Sequence, residues 1–303
     1  MQLASGARSA LVAVLREGSF ERAAQRLHVT ASAVSQRIRQ LEEQVGAVLV
    51  VRSSPCRPTE IGELVHRHAL QMEMLEHELS RTLTLDGEGE GAPTAPLHLA
   101  IAVNADSLAT WVVPAVAEVA RAANLRIEII ADDESQTVAR LRAGEVVGAV
   151  TSSARAVRSC DVTPLGSMRY LATATPEFRA RWLEVFPEGL EHAPSLAFDR
   201  TDGLSERFVT ELLGRAPSAG THYFPSPEAY LSANLAGLAW GLNPESLVRP
   251  HLESGALVSL WPEQALEVPL YWQCWAIRSP GVEALSQTMI RFGRAALSME
   301  RAP

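Results

Sequence analysis

Twenty residues near the start of the chain, SFERAAQRLHVTASAVSQRI at positions 19–38, leave little freedom for what the first domain can be. Ser19 is suited to cap a short helix whose inner side is the small pair Ala23 and Ala24 together with Leu27. His28 and Val29 leave room only for a tight turn, after which Thr30 caps a longer helix. In it Val34, Ile38, Leu41 and Val45 recur at four- and three-residue spacing, so one apolar stripe faces inward. Paired alanines, a brief turn and a striped second helix are the pattern of a helix-turn-helix. Leu11, Val14 and Leu15 add a preceding amphipathic helix that ends near Gly18.

Opposite the stripe, at about 100° per residue, lie Ser32, Ser35, Gln36 and Arg39, with Thr30 at the start of the same helix. A glutamine can pair with adenine edges and an arginine with guanine or phosphate, while serines and threonine suit either base edges or backbone. Arg37 lies at the edge of that face and suits phosphate. The segment LVVRSSPCRPT, residues 49–59, reads as a short β-wing stiffened by Pro55 and Pro58, from which Arg52 and Arg57 can reach flanking backbone or minor groove. Many polar helix faces are simply solvated, so the charge distribution matters. Through Pro58 there are eight arginines against four glutamates, whereas the remainder carries 19 basic and 31 acidic side chains. A basic head on an acidic body predicts that residues 1–58 alone meet double-stranded DNA.

Thr59 is placed to cap a long helix over 59–85. Within it Ile61, Val65, His68, Met72, Leu75 and Leu79 alternate in steps of four and three, the spacing of a coiled-coil seam. The seam predicts dimerisation; a helix packed only on its own domain is the alternative. Residues 86–96, DGEGEGAPTAP, read as a flexible linker, and their Gly-x-Gly-x-Gly does not follow a strand as a dinucleotide loop must.

Beyond the linker the pattern becomes strand–helix–strand–helix–strand: LHLAIAV, a helix through Ala120, a strand marked by Leu125, Ile127 and Ile129, a helix stopping at Gly144, then VVGAVT. That order predicts a parallel sheet with helices on its faces. A second set, MRYLATAT, PSLAFD, THYFP and LAWGL, is followed by VPLYWQCWAI as a return strand and a last helix. The reading is a two-lobed α/β domain over 97–303, with lobe I from 97–164 and 270–303 and lobe II from 165–269. Ligands of such sheets bind beyond the carboxyl ends of the strands. The residues expected there are Asn104, Asp106, Ser107, Asp132, Thr151, Asp199, Asp202, Ser226 and Glu228. Repeated carboxylates would suit a cationic ligand. Asp106, Asp202 and Glu228 are the expected partners of its ammonium groups, and Ser107 of its carboxylate at a helix N-terminus. The alternative is that these residues merely cap helices. Trp111, Trp240, Trp272 and Tyr271 read as core.

Other classes find little support. Cys56, Cys160 and Cys274 are far apart and read as buried free thiols, and His66 and His68 point to different faces of a helix, so no metal is expected. No apolar run approaches the roughly 18 residues needed to span a bilayer, and the start lacks a cleavage-like site, so a cytoplasmic location is expected. There is no nucleophile elbow, phosphate loop or His-Glu-x-x-His, and no enzyme is expected.

The residues taken together resemble the LysR-type transcriptional regulators, with a winged helix-turn-helix, a long linker helix and a periplasmic-binding-protein-like sensor. More narrowly, REGSFERAAQRLHVTASAVSQRI, VLVVRSSPCRPT, IAVNADSLATW, RAGEVVGAV and PLYWQCW resemble the ArgP/LysG branch, which senses basic amino acids. The resemblance implies control of a promoter, often that of a lysine or arginine exporter gene, by a homodimer or dimer of dimers working with RNA polymerase. It also implies L-lysine or L-arginine as effector and no cofactor.

Overall fold

Ala23 and Ala24 are both buried where three helices converge, α1 (Ser5–Glu17), α2 (Phe20–Arg26) and α3 (Ala31–Val45). The computed structural model describes residues 3–85, 96–132, 134–262 and 264–298. The local signals act as expected: the Ser19 hydroxyl accepts the Arg22 N–H, the Thr30 hydroxyl accepts the Ala33 N–H, and Gly18 closes α1 at φ 63°. Leu11, Val14, Val34, Ile38 and Leu41 are fully buried in one small core. The wing is a pair of two-residue strands, β1 (Val50–Val51) and β2 (Arg57–Pro58), joined antiparallel. Glu42 Oε1 ties its base to α3 by accepting the Leu49 N–H at 2.8 Å.

Helix α4 (Glu60–Leu85) leaves the wing at close quarters. The Thr59 hydroxyl accepts the Gly62 N–H at 3.0 Å and donates to the Val48 carbonyl at 2.7 Å. A side chain at Gly62 would meet the Leu49 carbonyl oxygen at 2.0 Å, so only glycine allows this approach. One side of α4 rests on the molecule through Ala69, Leu70 and Met74, while Ile61, Leu64, His68, Leu75 and Leu79 are exposed. Of the expected linker 86–96, residues 86–95 lie outside the described residues.

The C-terminal part is built on β3 (Leu97–Val103), β4 (Leu125–Ala131), β5 (Gly148–Thr151), β6 (Cys160–Ala174), β7 (Ser195–Ala197), β8 (Thr221–Tyr223), β9 (Gly241–Pro244), β10 (Val258–Ser259) and β11 (Leu266–Trp275). Between β3 and β4 one continuous helical run comprises α5 (Ala105–Ser107), a π turn at Leu108–Val112 and α6 (Val113–Ala122). The other helices are α7 (Glu134–Ala143), α8 (Pro176–Trp182), α9 (Leu204–Leu213), α10 (Pro227–Leu235), α11 (Glu245–Glu253) and α12 (Pro280–Ala296).

The expected parallel sheet is in fact mixed. β3 runs parallel to β4 and β5, but β11 lies antiparallel between β5 and β6, giving the order β10-β6-β11-β5-β3-β4, with β9 also on β6. The cause is the return strand, which comes back through the middle of the sheet instead of adding at its edge. β6 starts at Cys160, well before Met168, so β6 and β11 together run through both lobes. Their register slips where Leu270 faces Gly166 and Tyr271 faces Pro164, leaving Leu165 as the extra residue of a bulge, with Gly166 at φ 127°. Lobe II adds the parallel pair β7 and β8.

Trp111, Trp240 and Trp272 are buried as expected, while Tyr271 is half-buried. Of the thiols only Cys274 is buried; Cys56 and Cys160 are half-buried, because the wing and the start of β6 lie at the surface. Among the described residues no helix is long and apolar enough to cross a membrane.

Candidate effector cleft and nucleic-acid interface

The exposed face of α3 carries Ser32, Gln36 and Arg39, with Ser35 half-buried beside them. Thr30 spends its hydroxyl on the helix cap and sits 3.0 Å from the Ser32 hydroxyl. Arg52 of the wing lies 3.5 Å from the Ser35 hydroxyl, with its guanidinium 5.0 Å above the Phe20 ring, so wing and reading helix form one cationic surface. Arg57 is exposed on the return strand of the wing. Arg37 is half-buried and lies alongside Gly6 near the start of α1, whose first turn has no side-chain cap. Arg22 and Arg26 are spent internally, on the Glu17 carbonyl and carboxylate respectively.

A cleft of about 1580 Å³ separates the two lobes, larger than the roughly 300–1,000 Å³ of a filled small-molecule site and therefore open. Asn104, Asp106, Asp132 and Thr151, at the carboxyl ends of β3, β4 and β5, line one wall. Asp199, Asp202, Ser226 and Glu228, beyond β7 and β8, line the other. Eight of the nine expected residues thus meet in one cavity. Ser107 does not line it: its side chain is fully buried, on the same inner face of the helix as Trp111 four residues on.

The eight differ in how much hydrogen bonding they have left. Asp199 accepts the N–H and hydroxyl of Thr201 and the Asp202 N–H, contacts that hold its carboxyl below the usual carboxylate range and keep it charged. Asp202 accepts the N–H groups of Phe198 and Leu204, at 2.7 and 3.0 Å. Ser226 caps α10 and Thr151 accepts the Ser153 N–H. Helix capping therefore describes Ser226 alone: the N-cap of α9 is Gly203, without a side-chain cap, so Asp199 and Asp202 brace the 198–204 bend, and Thr151 bonds within the loop after β5. Asp132 is paired with Arg140 at 2.8 Å and largely neutralised. Asp106 accepts the Tyr170 hydroxyl at 2.7 Å, and Glu228 is exposed in the first turn of α10.

Sequence reasoning missed several wall residues. Tyr170 reads as one more aromatic in an apolar strand, and nothing near it marks it as a partner of a residue 64 positions away. Arg207 also lines the cleft, where it pairs with Glu211, so five carboxylates face one guanidinium. The surplus is negative, and a cationic ligand is favoured. At the start of the helical run the Asn104 side-chain oxygen and the Ser107 hydroxyl are buried with no hydrogen-bond partner among the described residues.

The family described as "Bacterial regulatory helix-turn-helix protein, lysR family" matches residues 8–63, and the one described as "LysR substrate binding domain" matches residues 95–296. The HTH-type transcriptional regulator ArgP of Aeromonas salmonicida is 41% identical over 294 residues, 95% of this chain and 96% of that protein. The crystal structure of ArgP from Mycobacterium tuberculosis superposes with a TM-score of 0.88 at 39% identity, covering 99% of this chain and all (100%) of that one. Full-length LysG from Corynebacterium glutamicum with bound effector Arg superposes with a TM-score of 0.83 at 35% identity, covering 97% of this chain and 99% of that one.

Proposed function

Because the chain belongs to the LysR family of DNA-binding transcriptional regulators, of the ArgP/LysG type, we propose that it switches a promoter in response to a basic amino acid, L-arginine or L-lysine, held between its lobes. The observation that carries this reading is the cleft itself. Carboxylates beyond the strand ends of both lobes converge on one open cavity. Asp106, Asp202 and Glu228 receive the ammonium or guanidinium groups, and the Asn104 side-chain NH2 with the N–H groups of the adjoining helix N-terminus donates to the carboxylate. Asp199 adds field, while Asp132, held by Arg140, shapes the walls with Thr151 and Ser226. No cofactor has a role.

At the other end, Ser32, Ser35, Gln36 and Arg39 read base edges, and Arg37, Arg52 and Arg57 hold the backbone, with Thr30 ordering the helix start. The division is a DNA-binding unit over 1–58, a dimerisation helix over 59–85, a linker over 86–96 and the sensor over 97–303. Two copies pair along the exposed apolar side of α4, as a homodimer or dimer of dimers, so that two reading helices meet one operator in the cytoplasm and present it to RNA polymerase. The regulated gene on this reading is an exporter of basic amino acids.

Isothermal titration of L-arginine, L-lysine and L-glutamate into the protein tests the sensing step. Binding of a basic amino acid that is lost in Asp106→Asn supports the reading. Equal binding of glutamate, or none of the three, overturns it. A footprint on genomic DNA that shows no sequence preference overturns the DNA half.

A further inference from the structure

Arg67, in the second turn of α4, is 4% exposed, and no carboxylate among the described residues lies within ion-pair distance of it. Its guanidinium instead donates to two backbone carbonyls, that of Arg142 at 2.9 Å and that of Arg158, while its Nε is buried with no partner among the described residues. The neighbouring His66 donates from Nδ1 to the Ala143 carbonyl at 3.1 Å. A buried cation held only by carbonyls is an expensive way to dock a helix, since an apolar residue of similar size commonly serves as well or better. What the fork adds is geometry: it bonds two segments at once and therefore registers their separation.

Both segments begin at the cleft. Arg142 is near the C-terminal end of α7, whose Val138 lines the cavity; Asp132, two residues before the helix, lies on the wall and is tied to α7 through Arg140. Arg158 ends a loop whose first residues, Ser152 and Ser153, also line the cavity. That loop is braced internally, because the buried Gln273 side chain of β11 accepts the Val157 N–H and donates to the carbonyls of Ser153 and Arg155. Two stiff elements thus run from the cleft and end on one guanidinium, which sits on the helix that leads to the DNA-binding unit.

Resting on the effector reading above, we propose that Arg67 is the coupling residue. Closure of the cleft on its ligand shifts the end of α7 relative to the 152–158 loop, the fork can satisfy both carbonyls in only one of the two arrangements, and α4 follows. A ligand can move this equilibrium only by the difference in its affinity for the two arrangements, and couplings of this kind are typically about 5–150-fold.

The test uses the full-length protein, a DNA fragment selected by the wild type from random sequence, and L-arginine and L-lysine as probes. In Arg67→Met, arginine affinity by titration stays within about threefold of wild type and ligand-free DNA binding is retained, but the ligand-induced change in DNA affinity or footprint length falls to near onefold. Glu78→Gln, which loosens a different docking point of α4, where Glu78 accepts the Ser279 hydroxyl and Gly281 N–H, keeps the response. Should the methionine variant melt below the assay temperature, Arg67→Lys decides, since it keeps the charge but not the two-carbonyl fork. A wild-type-sized response in a folded Arg67 variant overturns the proposal while leaving the effector reading intact. So does a loss of ligand affinity in proportion to the lost response. A wild-type protein that binds neither probe overturns the effector reading itself, and the coupling with it.

Discussion

Gly62→Ala sets two physical effects against each other with opposite signs. Gly62 lies in the first turn of α4, where alanine on helix propensity alone is better by about 1 kcal/mol. Against this, an added Cβ stands 2.0 Å from the Leu49 carbonyl oxygen and 2.9 Å from its carbon, so α4 and the wing base must part by about 1 Å merely to reach 3.0 Å. The atoms in the way are backbone and cannot swing aside. Parting them strains the bond from the Thr59 N–H to the Leu49 carbonyl, at 3.0 Å, and that from the Thr59 hydroxyl to the Val48 carbonyl, at 2.7 Å. Overpacking costs about 1–3 kcal/mol and each hydrogen bond about 0.5–1.5 kcal/mol, so the net is a loss of about 3 kcal/mol. For a domain of this size, at about 4–8 °C per kcal/mol, the melting temperature of the DNA-binding unit falls by roughly 10–25 °C. Differential scanning calorimetry of the full-length protein, with near-saturating DNA as a second arm, reads the shift. An unchanged or raised transition would show that propensity wins and would refute the close-approach argument.

Other outcomes follow from the same geometry. Gln36→Ala and Arg39→Ala each lose about 1–3 kcal/mol of discrimination against altered operators, whereas Arg57→Ala weakens binding to all sequences alike and lowers the salt slope by about one; competition binding at several salt concentrations separates the two patterns. Tyr170→Phe removes the 2.7 Å donor that orients Asp106, and arginine affinity falls roughly tenfold by titration; an unchanged affinity removes Asp106 from the site. Leu75→Glu with Leu79→Glu, both on the exposed side of α4, yields a monomer in sedimentation velocity, and a dimer persisting at micromolar concentration would place the interface elsewhere. Burial holds the His66 imidazole below its ordinary 6.5, despite the Ala143 carbonyl and the Glu145 carboxylate and with Arg67 opposing its charge. The unfolded chain therefore takes up a proton first as pH falls below 6.5, and stability declines through that window until the folded form is protonated as well. Denaturant melts from pH 7.5 to 5 show this decline for the wild type and a shallower one for His66→Gln; parallel curves count against it.

What the sequence made legible was local. The caps at Ser19 and Thr30 and the stripe through Val34, Ile38 and Leu41 are properties of a few consecutive residues, and the structure repeats them closely. The acidic strand ends were legible too, because strand–helix alternation by itself places them at one edge of a sheet. How they spend their hydrogen bonds was not. Whether Asp202 caps a backbone N–H or meets a ligand depends on the bend of residues 198–204, and Ser107 faces the core because Trp111 draws that side of the helix inward. Arg67 is illegible for a related reason, since the apolar spacing of α4 says nothing of an arginine whose partners lie 75 and 91 residues away.

The shared strands β6 and β11 have an evolutionary side. The chain enters lobe II along one of them and leaves along the other, and the two are hydrogen-bonded neighbours from Leu266 opposite Tyr170 to Trp275 opposite Cys160. The far lobe is therefore a single insertion whose two ends are already side by side. Such a segment can be exchanged between paralogues as one cassette, leaving the DNA-reading unit, α4 and its docking surface with their original path. New ligand preferences can then arise on one wall of the cleft by recombination at two adjacent points, while the promoter address stays the same.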